Sequence, residues 1–151
     1  MSEYPRGNWP MEIIFASSVP ADKKDLITRA AEFTKRELFP RTRDVIVEFD
    51  MVNNLNEHEG VFGDVFESDE RWYDIRLDAN MDDIELVSTV IHEMVHVKQY
   101  AKNELKQLEG SKTRYNRKVY DGNIDYEDRP WEQEAHNLEN LLYLEFVADG
   151  K

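Results

Sequence analysis

Apolar residues alternate with polar ones at Met11, Ile13 and Phe15, and this two-residue period predicts a short first strand ended by a Ser17-Ser18-Val19-Pro20 turn. Pro20 suits the first turn of a helix. Leu26, Ile27, Ala30, Phe33, Glu37 and Leu38 then recur at helical spacing as a mostly apolar stripe, until Pro40 stops it. A helix with one apolar stripe needs a sheet to cover. Val45, Val47, Phe49 and Met51 share one face of a strand within Asp44 to Val52, and Tyr73, Ile75 and Leu77 share one face of another within Arg71 to Asp78. Between them, Asn53 to Gly60 reads as a polar loop, and Val61 to Glu67, with Gly63 inside it, as a shorter strand.

The period changes after Asp82. A long helix is predicted to about Asn103, with Asp82, Asp83 and Glu85 at its start and Lys98 and Lys102 toward its end, the charge order a helix dipole favours. Gly110 and an Asp121-Gly122 turn signal follow, the latter placed to join a small hairpin. Pro130 opens a last helix through Val147, with Trp131, Ala135, Leu138 and Leu142 spaced for core contact. Strands and helices in this order predict an α+β fold with a short twisted, mostly antiparallel sheet. No internal repeat interrupts it, and 151 residues suit one domain that buries roughly 70% of its unfolded surface.

Charge narrows the partners. Charged residues make up 34% of the chain and the net charge is -13, so an acidic surface is expected to repel nucleic acid and anionic membranes. Lys102, Lys106, Lys112, Arg114, Arg117 and Lys118 gather against that trend, and a solvated loop accounts for them as well as a binding surface does. With no cysteine, a metal would have to be held by histidine, carboxylate or carbonyl groups. The start, Met1 to Asn8, lacks the apolar core of a signal peptide, and no run of ~18 apolar residues occurs, so a cytoplasmic location is expected.

His92-Glu93-Met94-Val95-His96 carries the chemistry. Two histidines four positions apart project from nearly the same helix face, one turn apart, so their ring nitrogens can grip one ion. Zinc takes imidazole and carboxylate ligands and, in catalytic sites, leaves one position open for water whose pKa falls to ~7. Glu93 is placed to accept that water's proton and return it to a leaving amine. A third ligand is expected from the last helix, where Glu132, Glu134 and His136 stand close together. Acidic residues at a helix start are also favoured by the dipole with no metal present.

The strand, the His92-Glu93-x-x-His96 helix and a later glutamate-bearing helix resemble the gluzincin metallopeptidases across roughly residues 71 to 147. The resemblance is to the small single-domain members, the phage-type and SprT-like zincins. It implies a zincin-like minimal peptidase domain in which a Glu-x-x-Ala pattern supplies the third zinc ligand. Glu132-Gln133-Glu134-Ala135 matches that pattern and gives Glu132 the role. Many members follow the alanine with Asp or Asn, thought to support a ligating histidine; here His136 stands in its place. If Glu132 faces the metal, Glu134 lies about 200° around the helix and is expected solvated or paired with a basic side chain, with little bearing on metal affinity. His136, one turn on, remains the rival ligand.

Among the tyrosines at 115, 120, 126 and 143, Tyr126 is the candidate to donate to an oxyanion, together with His136. His58 reads as a surface residue, and Trp9, Trp72 and Trp131 as packing anchors. If the Arg71 to Asp78 strand forms the sheet edge, an extended peptide can pair with it across the metal. The leading expectation is a zinc-dependent peptidase acting on peptide or protein substrates. A non-catalytic metal-stabilised module and a nucleic-acid-associated SprT-like peptidase are the alternatives; Glu93 speaks against the first and the net charge against the second.

Overall fold

Alternating apolar strands and one-faced helices assemble as that periodicity requires in a computed structural model, which describes residues 9–149. The polar segment 1–8 lies outside the described residues. The elements run β1 (Glu12–Phe15), α1 (Ala21–Leu38), β2 (Ile46–Val52), α2 (Leu55–Glu59), β3 (Gly63–Asp69), β4 (Trp72–Asp78), α3 (Asp83–Ala101), β5 (Leu105–Gln107), β6 (Thr113–Tyr115), β7 (Lys118–Tyr120) and α4 (Pro130–Ala148). Asn53 to Gly60 is therefore not all loop, since α2 forms inside it and buries Leu55. Among the described residues this is an α+β fold with four helices and a mixed sheet, and no helix is long and apolar enough to cross a membrane.

The four-stranded sheet has the order β1-β2-β4-β3. The expectation of a mostly antiparallel sheet is wrong: β1 with β2 and β2 with β4 run parallel, while β3 and β4 run antiparallel. The reason lies in the connections. Helix α1 is a crossover that returns the chain to the same end of the sheet, which makes β1 and β2 parallel. The excursion through α2 and β3 lets β4 re-enter beside β2 in the same direction.

Strand β4 is also not the edge. Its Tyr73, Ile75 and Leu77 are fully buried between two neighbours, whereas β3 exposes Phe66, Glu67, Ser68 and Asp69 and takes the outer position. A strand with polar, solvated residues tolerates an edge that a fully buried strand does not.

The predicted inward faces pack together. Val47, Phe49, Tyr73, Ile75 and Leu77 meet Ile27 and Phe33 of α1, Leu86, Val90 and Ile91 of α3, and Leu142 and Phe146 of α4 in one apolar cluster. Asp82 caps α3 by accepting a hydrogen bond from the Glu85 amide at 2.8 Å. Beyond α3, β5, β6 and β7 form a second, three-stranded sheet over a small cluster of Leu105, Tyr115 and Trp131. The hairpin turn there is Asn116-Arg117, both in the left-handed region, and not Asp121-Gly122, which follows β7. A two-residue loop joining right-twisted strands favours that mirror-image geometry, and asparagine adopts it readily.

Candidate metal centre

The histidine helix is buried on nearly every side, yet His92, Glu93 and His96 face a cleft of about 740 Å³ between α3, β3 and the start of α4. Their spacing sets this: positions 92 and 96 lie one turn apart on one face, and Glu93 sits beside the first of them. All three are less than 10% exposed. Gly63 on β3 brings the edge strand close, because a Cβ there would meet Thr89 Cγ2 at 2.8 Å and the Arg76 carbonyl at 3.0 Å. Glu93 Cγ is 3.4 Å from the same point, so the strand lies directly against the acid.

Across the cleft, α4 begins at Pro130 and points Glu132 inward. Its Oε1 is 3.1 Å from Nε2 of His92 and 3.1 Å from Nε2 of His96. Two imidazoles and one carboxylate thus converge, and His92, His96 and Glu132 can hold a metal ion. A tetrahedral ion with bonds of about 2.0–2.1 Å separates its donor atoms by about 3.3 Å. The observed spacing is close to that value, and one side of this N₂O donor set faces the open cleft.

The other ring nitrogens are committed. His92 Nδ1–H donates to Glu139 Oε1 at 2.9 Å, and His96 Nδ1–H donates to Gln99 Oε1 at 2.8 Å. Both Nε2 atoms are left facing the cleft, the arrangement that orients a ligating imidazole. The partner of His92 Nδ1 is thus Glu139, three residues beyond His136 on the same helix.

Electrostatics follow from the crowding of acids and imidazoles. Burial disfavours a charged His92, yet its bonds to Glu132 and Glu139 outweigh this and push it up to about 10. His96 is raised the same way, through Glu132, against its burial. Glu132, although buried, is held well below the usual carboxylate range by the two imidazoles. Burial pushes Glu93 up to about 7, beyond the lowering by His96 and His92, which suits a group that takes and returns protons near neutrality.

Tyr126 donates to Glu132 Oε1 at 2.9 Å, and its oxygen lies 3.1 Å from His136 Nε2. His136 is exposed and packs its ring 4.6 Å from that of His92, while a second grouping of His92, His136 and Glu139 also lies within metal-holding distance. Glu134 faces away from the cleft and pairs with Lys98 at 2.8 Å. Tyr115 bonds Glu134, Tyr120 packs on Trp131, and Tyr143 packs against the main core, so none of these three lines the cleft. His58 is exposed on α2. Trp131 is buried, while Trp9 and Trp72 are half-buried.

Sequence reasoning missed Gln99 and Glu139. A signal for both existed: Gln99 follows His92 and His96 by seven and three residues, and Glu139 follows Glu132 and His136 by the same intervals, so each continues the face of its helix. Comparison with protein-family models, curated proteins and solved structures finds no match for this chain.

Proposed function

We propose that the protein is a zinc-dependent peptidase of gluzincin type, with His92, His96 and Glu132 as zinc ligands and Glu93 as general base. The observation that carries this reading is the convergence of both Nε2 atoms and Glu132 Oε1 at 3.1 Å, beside a buried Glu93 and on the floor of an open cleft. A site built only for stability would be closed by a fourth ligand and would have no use for the acid.

When bound, zinc supplies Lewis acidity that polarises a substrate carbonyl and acidifies water near neutral pH. Glu93 takes a proton from the attacking water as its oxygen bonds to the carbonyl carbon. The same carboxylic acid then gives that proton to the amine nitrogen as the C–N bond breaks. Tyr126 and His136, which line the same cleft, donate hydrogen bonds to the oxyanion, Tyr126 turning its hydroxyl from Glu132 to do so. Among the described residues, strand β3 pairs with β4 alone, so its outer edge offers backbone groups to an extended peptide. Such pairing is tolerant of sequence, and Val61, Phe62 and Val65 beside it give the cleft an apolar wall.

Glu93→Gln tests the assignment, because the amide keeps the shape but cannot accept the proton. The variant is expected to bind one zinc per chain and to lose hydrolysis by about 10²–10⁴-fold in a peptide-library digest. Equal cleavage by the variant would contradict the mechanism, and zinc binding without cleavage by either form would favour a metal-stabilised binding module.

A further inference from the structure

Gln99 is a fully buried amide on α3, so each of its polar atoms must find a partner inside the protein. Its Nε2 donates to the Trp131 carbonyl at 3.0 Å and to Glu134 Oε1 at 2.7 Å. A carbonyl and an ionised carboxylate are acceptors only. Turning the amide over would set its oxygen against both of them and aim its NH₂ group at His96. One orientation therefore satisfies the group, and in it Oε1 faces His96 Nδ1 at 2.8 Å and requires a proton there. A neutral His96 with that proton leaves Nε2 unprotonated, its lone pair facing the cleft where Glu132 Oε1 also converges.

The carboxylate that fixes the amide is itself fixed. Lys98 Nζ donates to Glu134 Oε2 at 2.8 Å, and the Tyr115 hydroxyl donates to Glu134 Oε1 at 2.8 Å. Glu134 is thus kept an acceptor on the side that meets Gln99. The two histidines are supported differently: His92 rests on a carboxylate directly, and His96 rests on a neutral amide with a carboxylate one bond further back.

We infer that Glu134 is a positioning residue for the metal centre: by locking the Gln99 amide it holds His96 in the tautomer that offers Nε2 to the ion. Glu134 therefore affects zinc affinity although it faces away from the cleft, contrary to what its place on the helix suggests. This rests on the metal-site reading above. Replacing a partner that orients a ligating histidine typically lowers metal affinity 10- to 100-fold.

Two readouts test the relay: zinc affinity by chelator competition, and the His96 Nδ1–H resonance in ¹⁵N-resolved spectra of the zinc-loaded protein. Glu134→Leu is expected to lower affinity by about 10- to 100-fold and to lose the exchange-protected Nδ1–H signal. Glu134→Gln keeps a carbonyl oxygen where Gln99 donates and should recover most of both. Tyr115→Phe removes one of the two bonds that fix the carboxylate but leaves Lys98 holding it and the amide still bonded, and should cost much less in both readouts than Glu134→Leu. Should Glu134→Leu fail to fold, Gln99→Met removes the amide at nearly constant volume and is expected to show the same two losses. Wild-type affinity and an intact Nδ1–H signal in Glu134→Leu or Gln99→Met would overturn the relay and leave the metal site standing. An equal loss of affinity in Tyr115→Phe would reduce Glu134 to a packing role. Absence of zinc binding by the unaltered protein would sink the metal reading, and the relay with it.

Discussion

His92, Glu93 and His96 stand on a helix whose Leu86, Val87, Val90, Ile91, Met94 and Val97 are sunk in the main apolar core. Glu132 and His136 stand at a helix start held by far less apolar packing. There, Trp131 is buried with Leu105 and Tyr115 in a small cluster edged by the partly buried Tyr100, Tyr120 and Ile124, and polar ties reinforce it: Gln99 to the Trp131 carbonyl, and Glu134 to Lys98, Gln99 and Tyr115. Apolar burial is non-directional and insensitive to pH, while hydrogen-bonded charges depend on geometry and protonation. The donors from α3 are therefore built into the stable part of the fold, and Glu132 is delivered by a part whose position can be tuned.

Truncation within the main core should have the largest effect on stability. Leu77→Ala, at a fully buried position of β4, is expected to cost about 2–5 kcal/mol in denaturant unfolding. Val119→Ala on the exposed face of β7 should stay within about 0.5 kcal/mol. Comparable losses at the two sites would erase the distinction between the regions.

Metal binding should join them. Zinc at about a hundred times its Kd is expected to raise stability by about 2.7 kcal/mol, with hydrogen exchange slowing most around Pro130 to Glu139. His92→Ala and His96→Ala should abolish both the bound zinc and the gain, and Glu132→Ala should weaken zinc binding more than His136→Ala. Loss of zinc in His136→Ala but not in Glu132→Ala would move the site to the second grouping, with Glu139.

Acid should loosen the tuned region before the apolar one. Burial raises the Glu134 carboxyl, but the bonds from Lys98, Gln99 and Tyr115 outweigh this and leave it below its ordinary value of 4.5. Its contribution to stability is thus complete above the unfolded value and is lost as pH falls through the folded one. In a titration of stability against pH, Lys98→Met should flatten that acid limb. An unchanged limb would remove Glu134 as its source.

The smallest expected effect is none at all. Lys102, Lys106, Lys112, Arg117 and Lys118 are exposed around the β5–β7 sheet, and none joins an ion pair among the described residues. Against a net charge of -13 they should not hold duplex DNA at physiological salt. Micromolar, steeply salt-dependent binding in a mobility-shift titration would instead favour the SprT-like alternative.

Local periodicity alone determined a good deal. The inward faces of β2 and β4, the stripe of α1, and the pairing of His92 with His96 on one helix face follow from fixed rotations per residue, which no distant contact is needed to set. What required the tertiary structure were the contacts between elements. The parallel sheet, the edge position of β3, and the meeting of α3 with Glu132, Glu134 and Glu139 depend on how helices pack over the sheet. Those carboxylates lie 35 to 47 residues from their partners along the chain. At that separation, the rotation and depth of α4 against α3 decide which acid faces the imidazoles, and packing of the whole core sets both.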